Sequence, residues 1–151
     1  MPLSHVGQNL PTAFRTYRLA SARNVPVTAT GDVLINGVTP TLFTNASLFT
    51  IESILIWNPR VNGVSGDITA TTAPVVSVWT GAGGTGTQIV NGVTVTITQV
   101  AGTNGVQALT LAVAATTTLQ GPTGLWLNIG TAAATAGSTM NIAVFGQVLL
   151  D

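Results

Sequence analysis

A period of two in the apolar residues near the C-terminus constrains the fold of this chain most strongly. Within residues 124–130, Leu125, Leu127 and Ile129 fall on one side of an extended chain, and residues 139–150 alternate in the same way. A helix repeats every 3.6 residues, so this alternation predicts two β-strands. The small-residue loop between them predicts an antiparallel pair. The last strand is too apolar for a solvated edge, and we expect it in the middle of a sheet.

Short strands and turns follow one another along most of the chain. Residues 48–57 are apolar on both phases, which predicts a strand covered on both faces. Asn-Gly supplies the two positive φ angles of a type I′ hairpin turn, and a strand is expected to start after each pair. Asn-Gly-Val recurs at 36–38, 62–64, 91–93 and 104–106.

About eight short strands with no helix among them are typical of a two-layer all-β domain. The sequence therefore predicts a two-sheet antiparallel β-sandwich, jelly-roll-like, over residues 25–151. An immunoglobulin-like sandwich is the alternative topology.

Residues 1–24 differ from the rest and predict an extended N-terminal arm. The segment 1–11 holds two prolines and no clean period, whereas 12–22 fits either a short helix with Thr12 as N-cap or an extended chain. All the positive charge except Arg60 lies in this arm. Arginine and aromatic side chains often anchor protein interfaces, so the arm predicts a protein partner. The candidate partner-binding residues are Phe14, Arg15, Tyr17, Arg18 and Arg23.

Charge is scarce throughout the chain. Charged residues make up 5% of the 151 residues, lysine is absent and the net charge is zero, whereas about 25% is usual for a soluble domain. Copies of such a chain repel one another weakly, so we expect a homo-oligomer or an assembly component. The arm arginines neutralise too few phosphates for a nucleic-acid partner. No apolar run approaches the roughly 20 residues that span a bilayer, so no membrane partner is expected.

The residues that carry chemistry are few and separated. There is no cysteine, and the single histidine, His5, lies in the arm without a nearby carboxylate. Residues 81–86 match G-x-G-x-x-G, but a strand follows them where a dinucleotide site needs a helix, so they predict a loop. No base, nucleophile or metal cluster can be assembled, and we expect no enzymatic activity, cofactor, metal or small-molecule substrate.

The acidic residues allow structural interpretations. Asp32 and Asp67 lie in turns with a neighbouring glycine, where an aspartate commonly caps its own backbone. Glu52 interrupts an apolar strand. It is expected either at an edge or interface, or buried against an arginine such as Arg60.

The C-terminal pattern resembles that of the small head proteins of tailed bacteriophages. It consists of Leu-Trp-Leu-Asn-Ile-Gly at 125–130, a Thr/Ala-rich loop, and Ile-Ala-Val-Phe-Gly-Gln-Val-Leu-Leu at 142–150. The resemblance implies a capsid decoration, or cement, protein made in the host cytoplasm and located on the outer surface of the virion. Such proteins commonly form homotrimers, and a terminal arm reaches the major capsid protein. The resemblance carries over no individual binding residue.

A receptor- or carbohydrate-binding module of a phage tail or head fibre is the alternative function. Sugar sites on β-sandwiches often place aromatic side chains beside acids and amides, and Trp57, Trp79 and Trp126 are the candidates. Each of them lies inside an apolar strand, so each is expected in the core or at an interface.

Overall fold

The computed structural model describes residues 16–37, 48–68, 73–98, 105–114, 117–120 and 124–149. Within these ranges the regular structure is β-strand, apart from one 3₁₀ turn at Ala82–Gly84. The strands are β1 (Tyr17–Pro26), β2 (Gly31–Gly37), β3 (Leu48–Val61), β4 (Val64–Ser65), β5 (Val75–Gly81), β6 (Thr85–Thr94), β7 (Val106–Ala108), β8 (Leu119–Gln120), β9 (Gly124–Thr131) and β10 (Thr139–Leu149).

The strands form two antiparallel sheets, as predicted for a β-sandwich. The hydrogen-bonded order is β4-β3-β10-β1-β2-β9-β5-β6, and β7 and β8 also pair with β3. Strands β1 and β2 share only two residue pairs, Ala20 with Gly37 and Ser21 with Asn36. This short pairing is where we divide the strands into two sheets. We call β3, β10 and β1, with the short strands β4, β7 and β8, the first sheet. The second sheet contains β2, β9, β5 and β6.

One core lies between the two sheets. Ile54 and Ile142 from the first sheet and Leu125 and Leu127 from the second are fully buried in a single apolar cluster. Full burial of one such side chain stabilises the folded state by about 1.5–3 kcal/mol. The inward phase predicted for residues 125–129 is therefore confirmed.

The two C-terminal strands do not pair with each other, so the predicted antiparallel pair is wrong. Strand β9 lies between β2 and β5, and β10 lies between β3 and β1, which confirms the central position predicted for the last strand. The connection 132–138 crosses from one sheet to the other, a separation of about 10 Å that exceeds the span of a tight hairpin turn. Val27 bonds both ends of this connection, accepting from Ala133 N at 2.7 Å and donating to Ser138 O at 3.0 Å.

Two of the Asn-Gly pairs take different roles. At 62–63 both residues have positive φ, 53° and 78°, and they join the paired residues Val61 and Val64. This is the predicted hairpin turn. At 91–92 only the glycine has a positive φ, 52°, and the pair forms a bulge inside β6 because the strand continues past it. The predicted turn and new strand at that position are wrong.

Of the two conformations considered for residues 12–22, the structure shows the extended one from Tyr17 onward, as strand β1. It is bonded to β10 on one edge and to β2 on the other, which places residues 17–24 in the sandwich and not in the arm. The register with β10 shifts between Arg18 and Ala20 and again between Ala22 and Val25. Residues 1–15 lie outside the described residues.

Candidate partner-binding surface

The structure describes three of the five predicted partner-binding residues. Tyr17, Arg18 and Arg23 are exposed on β1, and the predicted Phe14 and Arg15 lie outside the described residues. Neighbouring side chains in a strand point to opposite faces, so Tyr17 and Arg18 diverge. Arg18 also lines a cavity.

That cavity is an apolar groove on the outer face of the first sheet. Its volume is about 220 Å³. The pairing of β10 with β1 and β3 brings the lining residues together, because Arg18 lies opposite Phe145 and Leu55 lies opposite Ala143. Arginine and aromatic side chains in an apolar setting are the composition of the centre of a protein interface. We call it the outer groove; its lining residues are Arg18, Leu55, Trp57, Val106, Ala143 and Phe145.

Five of these six residues were not among the predicted partner-binding residues. The sequence feature that corresponds to the groove is the apolar character of both phases in residues 48–57, which predicts a strand covered on both faces. One phase, with Ile54 and Ile56, fills the core. The other phase supplies Leu55 and Trp57 to the wall of the groove, where both are half-buried and the adjoining Val106 is 61% exposed. The second apolar phase of residues 48–57 therefore lies on the outer face of the first sheet and not in the core.

Glu52, a residue of β3, lies beside the outer groove and next to the first residues of β1. It is the extra residue of a bulge, since Ser53 pairs with Phe145 and Ile51 pairs with Gly146. Its Oε1 accepts a hydrogen bond from Nε2 of Gln147 at 2.6 Å, and its Oε2 accepts one from the hydroxyl of Thr16. Glu52 thus ties down the point where the chain enters β1.

The interpretation that Glu52 is buried against Arg60 is wrong. Arg60 lies roughly 25 Å further along the same strand, at the rise usual for β-structure. The partners of Glu52 instead come from β10 and from the residue before β1.

The outer face of the second sheet carries the other two tryptophans. Trp79 on β5 lies directly opposite Trp126 on β9, and both are half-buried. Of the two expected places, the core is therefore wrong for Trp79 and Trp126, because Val78, Leu125 and Leu127 occupy the inward phase of these strands. A place at an interface stays a prediction.

Asp32 joins this face to the glycine-rich loop. Its Oδ1 accepts from Nδ2 of Asn128 at 2.7 Å, and its Oδ2 accepts from the backbone N–H of Gly83 at 2.5 Å. Asp32 therefore bonds the backbone of a loop that is distant in sequence, whereas the predicted partner was the backbone of its own turn. The loop connects β5 directly to β6 with no helix after it, as the interpretation of 81–86 as a loop requires.

The described part of the chain contains no group of three His, Cys, Asp or Glu residues placed to hold a metal ion. His5 lies outside it. No helix in those same ranges has the length and hydropathy needed to cross a membrane.

Comparisons of the chain with protein-family models, with curated proteins and with solved structures find no match.

Proposed function

We propose that this protein is a capsid decoration protein that oligomerises on the outer surface of a virion and clamps neighbouring subunits of the major capsid protein. The observation that carries the proposal is the outer groove, which places the exposed Arg18 against Trp57 and Phe145 close to the point where the N-terminal arm enters the sheet. The protein is made in the host cytoplasm and acts in the virion without catalysis.

The strand order supports the jelly-roll part of this proposal. Without the two-residue strands β4 and β8, the first sheet has the order β7-β3-β10-β1 and the second has β2-β9-β5-β6. Two interleaved Greek keys produce such an order, and jelly rolls are common in viral capsid proteins.

The scarcity of charge supports an oligomer, and we propose a homotrimer. With 5% charged residues and zero net charge, copies of the chain repel each other weakly. Three linked copies would raise the effective concentration of the second and third arms at the shell, and avidity increases without any new contact. We expect a native mass of about three times the chain mass of 15.3 kDa in light scattering. A monomer at micromolar concentration would contradict the trimer.

Co-sedimentation with shells of the major capsid protein tests the clamp. Arg18→Ala is expected to weaken binding about tenfold and to reduce its dependence on salt, because the change removes the one charged side chain among the described residues that line the groove. The matched control is Arg23→Ala, which removes an exposed arginine of the same strand outside the groove. Deletion of residues 1–15 is expected to abolish the binding.

Three results would each contradict the clamp. They are full binding by the chain without residues 1–15, equal effects of the two arginine substitutions, and failure of the unaltered protein to sediment with the shells.

A further inference from the structure

The outer face of the second sheet combines aromatic and polar side chains in two adjacent rows. In the first row, Leu34 on β2 lies opposite Trp126, Trp126 lies opposite Trp79, and Trp79 lies opposite Gln88 on β6. Directly opposed residues have Cβ atoms roughly 5 Å apart, so the two indoles are neighbours. The result is an aromatic surface bounded by an amide.

The second row is polar and lies two residues along the strands, a distance of about 7 Å. It contains Asp32 on β2, Asn128 on β9 and Ser77 on β5, which pair in that order across the three strands. Hydrogen bonds fix these side chains: Asn128 donates to Asp32, and Ser77 Oγ accepts from Gly92 N at 3.0 Å. Gln88 likewise donates to Asn91 Oδ1 at 3.1 Å. The polar groups beside the tryptophans are therefore held in place before any ligand arrives.

This arrangement matches the two sides of a sugar ring. A pyranose has a face of C–H groups that packs on an aromatic ring, and an edge of hydroxyls that exchange hydrogen bonds with amides and carboxylates. The residues that line the outer groove of the first sheet have a different composition, since five of the six are apolar and the sixth is Arg18. A saccharide therefore fits the second sheet better than the groove.

Charge further restricts the ligand. The four arginines are at 15, 18, 23 and 60, the chain has no lysine, and none of these positions lies in β2, β5, β6 or β9. The one charged side chain in the two rows is Asp32. An anionic sugar would meet a carboxylate with no arginine on the strands of the same sheet.

We infer that the outer face of the second sheet binds a neutral saccharide, with Trp79 and Trp126 stacking on the sugar ring and with Asp32, Asn128 and Gln88 bonding its hydroxyls. This site does not depend on the proposed shell binding. The two outer faces of a sandwich point in opposite directions, so a shell on the groove leaves the saccharide site accessible.

Nuclear magnetic resonance of the ¹⁵N-labelled full chain tests this inference through its three indole N–H signals, with Trp57→Phe identifying that of Trp57. The probes are neutral trisaccharides of glucose, galactose, mannose and N-acetylglucosamine, and one sialylated trisaccharide. We expect at least one neutral trisaccharide to shift the signals of Trp79 and Trp126 saturably while the signal of Trp57 stays unchanged. We expect the sialylated probe to bind more weakly than the neutral probes.

Two substitutions test the site itself. Trp126→Ala is expected to weaken the binding about tenfold or more, as loss of an aromatic anchor usually does. Gln88→Ala keeps both indoles and is expected to weaken it about fivefold through one lost hydrogen bond. Trp57→Ala is the matched control on the other sheet and should bind normally.

The saccharide site is overturned if none of the neutral probes shifts either indole signal. Unchanged affinity in both test variants also overturns it, as does a preference for the sialylated probe.

Discussion

Removal of residues 1–24 is expected to unfold the protein, whereas removal of residues 1–15 is expected to leave the sandwich folded. The longer deletion takes away most of β1, including the fully buried Leu19 and Ala20. It also exposes the edges of β10 and β2, to which β1 is bonded. The loss of the buried Leu19 side chain alone lowers the free energy of unfolding by about 2 kcal/mol, and the loss of each backbone hydrogen bond between strands lowers it by about 1 kcal/mol. The sum approaches the roughly 5–15 kcal/mol that stabilises a typical domain.

Circular dichroism and thermal melting of the two truncated chains check this expectation. The chain 16–151 should show a strand spectrum and a cooperative transition, while the chain 25–151 should show neither. A cooperative transition in the chain 25–151 would mean that the sandwich does not need β1. The shorter deletion is also the correct one for testing the proposed role of residues 1–15 in binding, because it leaves every strand of the first sheet in place.

Gly146→Ala is expected to destabilise the protein by about 3 kcal/mol or more. A Cβ atom at this position would lie 1.9 Å from the carbonyl oxygen of Thr50 and 3.0 Å from Cα of Ile51. These are backbone atoms of β3 beside the bulge at Glu52, so no side chain can rotate away to make room. The expected result is a large fall in the urea concentration at the unfolding midpoint.

Gly130→Ala is the matched control for this substitution. Gly130 also lies in a central strand, but its nearest neighbour for a new Cβ is the carbonyl oxygen of Val75 at 3.8 Å, an ordinary contact. We expect its midpoint to change little. Equal midpoints for the two variants would show that β3 and β10 can separate at the bulge without cost. The close approach to β3 gives Gly146 a structural role.

The two outer faces give the sandwich two chemically different surfaces. The first sheet carries the apolar outer groove with Arg18, and the second carries Trp79 and Trp126 beside Asp32 and Asn128. Apolar surface with one arginine suits a protein partner, whereas aromatic rings beside amides suit a sugar. The proposed shell contact and the proposed saccharide site therefore use different residues, and each can fail without the other.

The sequence by itself determined the features that depend on local physics. The period of two around Leu127 identified a strand and its inward phase, because alternate side chains of a strand point to opposite faces. The pair Asn62-Gly63 identified a hairpin turn, because few residues accept a positive φ. The two-layer all-β class followed from the number of such strands and turns.

Only the tertiary structure decided which strands pair and which apolar phase faces outward. Strands β9 and β10 follow each other in sequence but lie in different sheets, since pairing depends on contacts between distant segments. The bulge at Glu52 and the bond from Gly83 to Asp32, 51 residues away, likewise arise only when separate strands meet. Residues 48–57 are apolar on both phases, so their pattern is the same whichever phase forms the core. The outer groove and the tryptophan pair therefore became visible only once the strands were assembled.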